Sequence, residues 1–248
     1  MFDLRGKVAV VTGAGQGVGA GIARAFAGQG ATVYVNDALA ERAEATAAAI
    51  GGAASALPFD VTDYAAVSAA IASVESEHGA VDILVNNAGN GGVGGMRTTQ
   101  FRDSDPESWR GTIEVNLYGV MNCCRAVINA MCDRGFGRII TIASGAGTTG
   151  LRIGVSPYAA GKGGGLSFMR HLAVENARKG VTANTLAIGL MDVQGAPSDV
   201  TAGMAAQIPV GRLGKAEDIA AACVWLGSDE AAWVTGQTIE LNGGSITT

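Results

Sequence analysis

The stretch KVAVVTGAGQGVG, residues 7–19, constrains this chain more than any other. Lys7 to Thr12 is a short β-branched run with no polar alternation, so it reads as a strand buried on both faces. Four glycines follow, and then the helical stretch Ala20 to Gly28. A strand, a glycine loop and a helix together make a phosphate cradle. Backbone N–H groups at the helix start point at the anion, and glycines let the backbone come close to it. Two frames fit: Gly15, Gly17 and Ala20 match a GxGxxG/A pattern, and Gly13, Gly17 and Gly19 match GxxxGxG. The second is preferred because Gly13 directly follows the strand.

The same alternation runs along the rest of the chain. Thr32 to Asn36 is a second strand, with Asp37 at its end. An acidic side chain there, about 20 residues past a glycine loop, accepts hydrogen bonds from adenosine ribose hydroxyls. It also repels a 2′-phosphate. Gln16 in the loop is neutral, and Arg42 comes only a helical turn later. These residues favour NAD, with NADP second. Asp37 also suits an N-cap for a helix over Ala38 to Ile50, and the two roles are compatible.

Ser55 to Phe59 is a third strand; after it, Asp63 is placed to cap a helix reaching Glu77, and Asp60 to meet the adenine amino group. Val81 to Val85 is a fourth strand, closed by Asn86-Asn87-Ala88-Gly89 at the end where open α/β sheets bind ligands. The glycine-rich stretch Asn90 to Gly95 is a candidate substrate-side loop. A helix is expected from Glu107 to Asp133 with Asn116, a poor helix former, inside it. Arg138 to Ala143 is a fifth strand ending at Ser144, and Val181 to Leu186 a sixth. Gly189 to Ile208 is long enough for a lid. A helix within Gly214 to Gly227 and a strand over Gln237 to Leu241 complete the pattern. The expectation is one domain, residues 1–248, built on a doubly wound, seven-stranded parallel sheet with helices on both faces.

Between the fifth and sixth strands lies SPYAAGK, in which Tyr158 and Lys162 are four residues apart. On a helix that spacing stacks them on one face. A lysine beside a tyrosine favours the phenolate, so the phenol is expected below its ordinary value and able to exchange a proton with an alcohol or carbonyl oxygen.

Composition narrows the function classes. The net charge of −5 is spread without blocks, which gives no nucleic-acid footprint. No apolar stretch reaches the roughly 18 residues of a membrane span. The start of the chain, with Asp3, Arg5 and Lys7, reads as the approach to a strand and not as a signal peptide. Cys123, Cys124, Cys132 and Cys223 form no CxxC pair, and only His78 and His171 could join them, so no metal site is expected. The compartment implied is cytoplasmic and reducing.

Taken together, TGAGQGVG, Asp60-Val61, NNAG, Asn116, Ser144 and YAAGK resemble the short-chain dehydrogenase/reductase family of single-domain chains, from Lys7 to Gly244. The resemblance implies Tyr158 as catalytic acid/base and Lys162 as the residue that lowers its pKa and binds the nicotinamide ribose. It implies Ser144 as the donor that steadies the substrate oxygen, and Asn116 as the holder of a relay water. The cofactor contacts expected are Gly13, Gln16, Gly17, Val18, Gly19, Asp37, Asp60, Val61, Asn87, Ala88, Gly89, Tyr158, Lys162, Gly189 and Met191. Ile188 and Val193 depart from the Pro and Thr usual after the sixth strand, and Asn242 replaces a common Asp in a region assigned to subunit packing. Relatives are commonly homotetramers, which makes a homotetramer, or a homodimer, the expected assembly.

The substrate pocket is expected around Ser144, Tyr158, Ile153, Leu190 and Met204, with Val93, Met96, Val155 and Met191 nearby. These residues are mostly apolar, which fits a hydrophobic or alicyclic secondary alcohol or ketone. Arg152 is near enough in sequence to meet an acidic group, or is a surface residue. Two other functions compete. One is a 3-oxoacyl-thioester reductase of acyl-carrier-protein type using NADPH, against which Asp37 and the acidic balance argue. The other is a cofactor-binding regulatory protein without catalysis, against which the intact Asn116, Ser144, Tyr158 and Lys162 argue.

Overall fold

The computed structural model describes residues 1–89, 98–192 and 198–247. The Asn90 to Gly95 loop, Met96, Val193 and Pro197 lie outside them. Seven parallel strands form one sheet in the order β3-β2-β1-β4-β5-β6-β7. They are β1 (Val8–Val11), β2 (Thr32–Val35), β3 (Ala54–Ala56), β4 (Ile83–Asn86), β5 (Gly137–Ser144), β6 (Val181–Ile188) and β7 (Thr238–Leu241). The expected sheet is therefore present. Its boundaries shift by a few residues, most at β3, which pairs only over Ala54–Ala56 where Ser55 to Phe59 was expected.

Side-chain alternation explains why the central strands are apolar throughout. Ala9, Val11, Ile83, Val85, Ile140 and Ile142 point to one face, where they pack with Ile22, Phe26, Ile219 and Val224. Val8, Val10, Leu84 and Ile139 point to the other, against Val67, Ile71, Val127, Met131 and Met169. The first group of partners comes from helices α1 (Gly17–Gly28) and α8 (Ala216–Gly227), the second from α3 (Tyr64–His78), α5 (Gly119–Arg134) and α6 (Ser156–Asn176). Burying a side chain the size of Phe26 contributes roughly 1.5–3 kcal/mol.

Local chemistry sets the helix starts. Asp63 caps α3, its carboxylate accepting from the N–H groups of Ala65 and Ala66. Asp37 does not cap the next helix, which starts later than expected. That helix, α2 (Ala40–Ile50), takes Leu39 as its N-cap, and Asp37 Oδ1 accepts from Leu39 N–H at 3.1 Å. Cys123 and Cys124 are buried in α5, where they serve as small core residues.

The helix expected from Glu107 to Asp133 is not uniform. After a short α4 (Trp109–Ile113), one turn over Glu114–Tyr118 widens to π geometry before α5 begins. Asn116 sits in that turn. Single π turns inside helices tend to mark functional sites, because the wider spacing frees backbone groups for other partners. The Gly189 to Ile208 segment is not simply a loop either, since it carries the helix α7 (Ser198–Ala205). Among the described residues no helix is long and apolar enough to cross a membrane.

Candidate active site

A cleft of about 870 Å³ opens along the carboxyl ends of the strands. Its glycine end is built from β1 and the start of α1. Gly13 and Gly17 have φ of 60° and 56°, a region other residues rarely adopt. An added Cβ at Gly13 would stand 2.8 Å from Ala88 Cα, so the loop and the end of β4 touch. At Gly17 nothing lies within 4 Å of that position, which leaves the N-terminus of α1 open to the cleft. The two strand ends are tied together. Asn87 Nδ2 donates to the carbonyls of Thr12 and Gly13, both at 2.9 Å, and Thr12 Oγ1 accepts from the N–H groups of Asn87 and Ala88.

At the far end, Asp37 is 9% exposed but on the cleft wall, together with Arg42. Gly15 lets them approach: an added Cβ there would lie 2.6 Å from Asp37 Oδ2 and 2.5 Å from Arg42 Cβ. Asp60 and Val61 also line the cleft, with Asp60 Oδ1 already accepting from Thr62 N–H and Thr62 Oγ.

The opposite wall carries Tyr158, Lys162, Ile142, Ala143 and Gly89. Pro157 in the first turn of α6 favours the helix start, and the next residue, Tyr158, is half-buried. Lys162 is buried, and its ammonium donates to the Ile142 carbonyl at 2.8 Å. Gly89 is the point where Lys162 and Asn116 converge, since an added Cβ there would lie 2.8 Å from Lys162 Nζ and 2.6 Å from Asn116 Oδ1. Asn116 is buried in the π turn, and its Nδ2 donates to the Thr112 carbonyl at 2.9 Å.

The electrostatics correct one expectation. Tyr158 is not below the ordinary phenol value but above it, because burial penalises the phenolate; a hydrogen bond from Ser144 pulls the other way. Lys162 does not supply the downward pull. Its Nζ is 5.9 Å from the centroid of the Tyr158 ring, and burial lowers its own value to about 8.

Of the expected cofactor contacts, Gly13, Gln16, Gly17, Val18, Gly19, Asp37, Asp60, Val61, Asn87, Ala88, Gly89, Tyr158 and Lys162 line the cleft. Gly189 and Met191 are not on that wall. Gly189 packs on Asn242 and Met191 on Gly214, because β6 runs two residues further than expected and carries Ile188 to the cleft instead. Of the expected substrate contacts, Ile153 is half exposed, and Leu190 faces a separate hollow with Ile208, Val210 and Gly243. Met204 is on α7. Sequence reasoning missed Asn36, whose Nδ2 donates to the carbonyls of Leu57 and Phe59, although an Asn ending a strand was a visible signal.

A family model described as Enoyl-(Acyl carrier protein) reductase matches residues 13–245. The 3-oxoacyl-[acyl-carrier-protein] reductase FabG of Escherichia coli (strain K12) is 40% identical over 246 residues, covering 98% of each chain. The chain belongs to the short-chain dehydrogenase/reductase family of oxidoreductases. The acetoacetyl-CoA reductase of Rhizobium meliloti (strain 1021) is 42% identical over 243 residues, covering 96% of this chain and 98% of its own. A crystal structure of a gluconate 5-dehydrogenase from Burkholderia cenocepacia J2315, in complex with NADP and tartrate, superposes with a TM-score of 0.90 at 35% identity. That match covers 98% of this chain and 96% of the other. Membership implies a nicotinamide cofactor, and the open glycine cradle, the Asp37 end and the cleft's volume fit a dinucleotide.

Proposed function

We propose that this chain interconverts a ketone and a secondary alcohol with NAD(H), and that Asn116, Ser144, Tyr158 and Lys162 carry the reaction. The single observation that carries this reading is the grouping of these side chains: Ser144 hydrogen-bonds Tyr158, Tyr158 and Lys162 line the same cleft, and Lys162 meets Asn116 at Gly89. When bound, the nicotinamide supplies or accepts the hydride. Tyr158 gives its phenolic proton to the substrate oxygen in reduction and takes the hydroxyl proton in oxidation. Ser144 donates a hydrogen bond to the same oxygen and stabilises the charge that develops on it. Lys162, buried on the cleft wall beside Tyr158, would hold the ribose on the nicotinamide side. Asn116, fixed by its bond to Thr112, is the relay position behind Lys162.

Asp37 supports NAD(H). Its carboxylate lines the cleft, where it would accept from ribose hydroxyls and repel a 2′-phosphate. A specific observation favours NADP(H) as the second reading: Arg42 stands beside Asp37, and the gluconate 5-dehydrogenase that matches this chain was solved with NADP. For the substrate, the curated relatives favour a 3-oxoacyl thioester over the alicyclic ketone suggested by the apolar pocket residues. Both are ketones reduced at the same atom by the same four residues. The expected assembly is a homotetramer or homodimer.

The test offers NADH and NADPH in parallel with a 3-oxobutanoyl thioester, a panel of cyclic ketones and the corresponding alcohols. Turnover preferring NADH supports the reading as a whole. Preference for NADPH overturns the Asp37 argument. Tight cofactor binding with no turnover on any compound favours the regulatory alternative.

A further inference from the structure

We propose that the turn after β7 sets which substrates the site accepts, with Asn242 as the clasp and Ile246 as the wall. The proposal rests on the ketone/alcohol reading above and assigns part of its specificity.

Gly145 directly follows Ser144. An added Cβ at Gly145 would stand 2.5 Å from Ile246 Cδ1 and 4.0 Å from the Ile188 carbonyl oxygen. The tip of Ile246 therefore lies on the backbone beside Ser144, between the carboxyl ends of β5 and β6. Ile188 pairs in register with Ser144 and lines the same cleft as Tyr158 and Lys162. A ketone whose oxygen meets Ser144 and Tyr158 extends a substituent past this point.

The turn that places Ile246 is held from within the chain. Asn242 is buried, and its Nδ2 donates to the Ile246 carbonyl at 3.1 Å and to Glu240 Oε2 at 3.0 Å. Its Oδ1 accepts from Gly244 N–H at 3.0 Å, and its carbonyl accepts from Ser245 Oγ at 2.9 Å. Gly189 closes the other side: an added Cβ there would stand 2.8 Å from Asn242 Cα, and Gly189 N–H donates to the Leu241 carbonyl at 3.0 Å. An aspartate at position 242 could accept but not donate, and it would set a second carboxylate beside Glu240. The amide is what joins Ile246 to the sheet. Ile153 is half exposed, and Leu190 shares with Asn242, Gly243 and Gly244 a hollow separate from the cleft, which leaves Ile246 as the side chain of this turn that reaches Gly145.

The experiment measures kcat/KM for a 3-oxobutanoyl thioester and for a counterpart with a bulky branched group beyond the ketone, in the wild type, Ile246→Ala, Ile246→Phe and Asn242→Asp. One methylene in an apolar pocket discriminates by roughly 10-fold or more. The expected result is a bulky-to-small ratio at least 10-fold higher in Ile246→Ala, lower in Ile246→Phe, and raised in Asn242→Asp. A ratio within 2-fold of wild type in both Ile246 variants would overturn the wall. Amide hydrogen exchange in Asn242→Asp, read without substrate, tests the clasp separately. Faster exchange at residues 144–147 supports it, and unchanged exchange overturns it. Wild type inactive on both thioesters would overturn the thioester substrate and the specificity role argued on it, turnover of the cyclic ketones would keep the ketone reading, and the exchange result would still judge the clasp.

Discussion

Lys162 and Tyr158 share one face of α6, yet the lysine's ammonium donates to the Ile142 carbonyl and lies 5.9 Å from the centroid of the tyrosine ring. Burial acts on both groups, holding the phenol up and the ammonium down. Ser144 is the neighbour that lowers the phenol's value by direct hydrogen bonding. Replacing it by Ala removes that pull. The acid-side limb of the oxidation rate, where the phenol must lose its proton, should then move to higher pH, and kcat should fall by roughly 10² or more. A pH profile of kcat/KM checks this, and an unmoved limb would mean that Ser144 does not tune Tyr158.

Lys162 gives stability a pH dependence of known sign. Its folded value is about 8, below its ordinary 10.5, so between those values the unfolded chain holds a proton the folded chain has released. Stability from this group therefore rises with pH through the window and is lost as pH falls through 8. Tyr158, shifted upward, opposes the trend only above its ordinary value near 10. Urea midpoints of wild type and Lys162→Met, compared from pH 7.5 to 9.5, should show a positive slope in the difference. A flat difference would argue against a buried, depressed Lys162.

Gly89 has no room for a methyl group between Asn116 Oδ1 and Lys162 Nζ. Gly89→Ala should lower kcat at least 10-fold, and the four residues should lose their register without global unfolding. Circular dichroism with a turnover assay separates the two effects.

Asp37→Ser removes the carboxylate proposed to meet the adenosine ribose and leaves Arg42 on the cleft wall. Efficiency with NADPH relative to NADH should rise by about 10-fold or more. No change in the ratio would place cofactor choice elsewhere.

The sheet was legible because most strands are short apolar runs closed by glycine, Asn or Asp, and because the alternation of strands with helices leaves little choice of topology. The proposed site positions were legible for the same reason: Ser144, Tyr158 and the NNAG stretch stand at strand ends or a helix start. What sequence spacing did not reveal depends on three-dimensional approach. The four-residue separation of Tyr158 and Lys162 gives a shared face but not where a long, flexible ammonium ends. The π turn at Asn116 arises inside a helix whose composition reads as ordinary. The packing of Met191 on Gly214, just past a β6 longer than its apolar run suggests, and the contact of Ile246 with Gly145, which spans about a hundred residues, leave no local pattern.

The central claim is that Tyr158 moves the proton in a ketone/alcohol interconversion. Steady-state turnover of wild type and Tyr158→Phe, followed at the nicotinamide absorbance band and paired with a cofactor binding titration, tests it most directly. The account predicts loss of at least 10²-fold in kcat with cofactor affinity kept within a few-fold, since the ring stays and only the hydroxyl leaves. Turnover retained within 3-fold in the variant would contradict it.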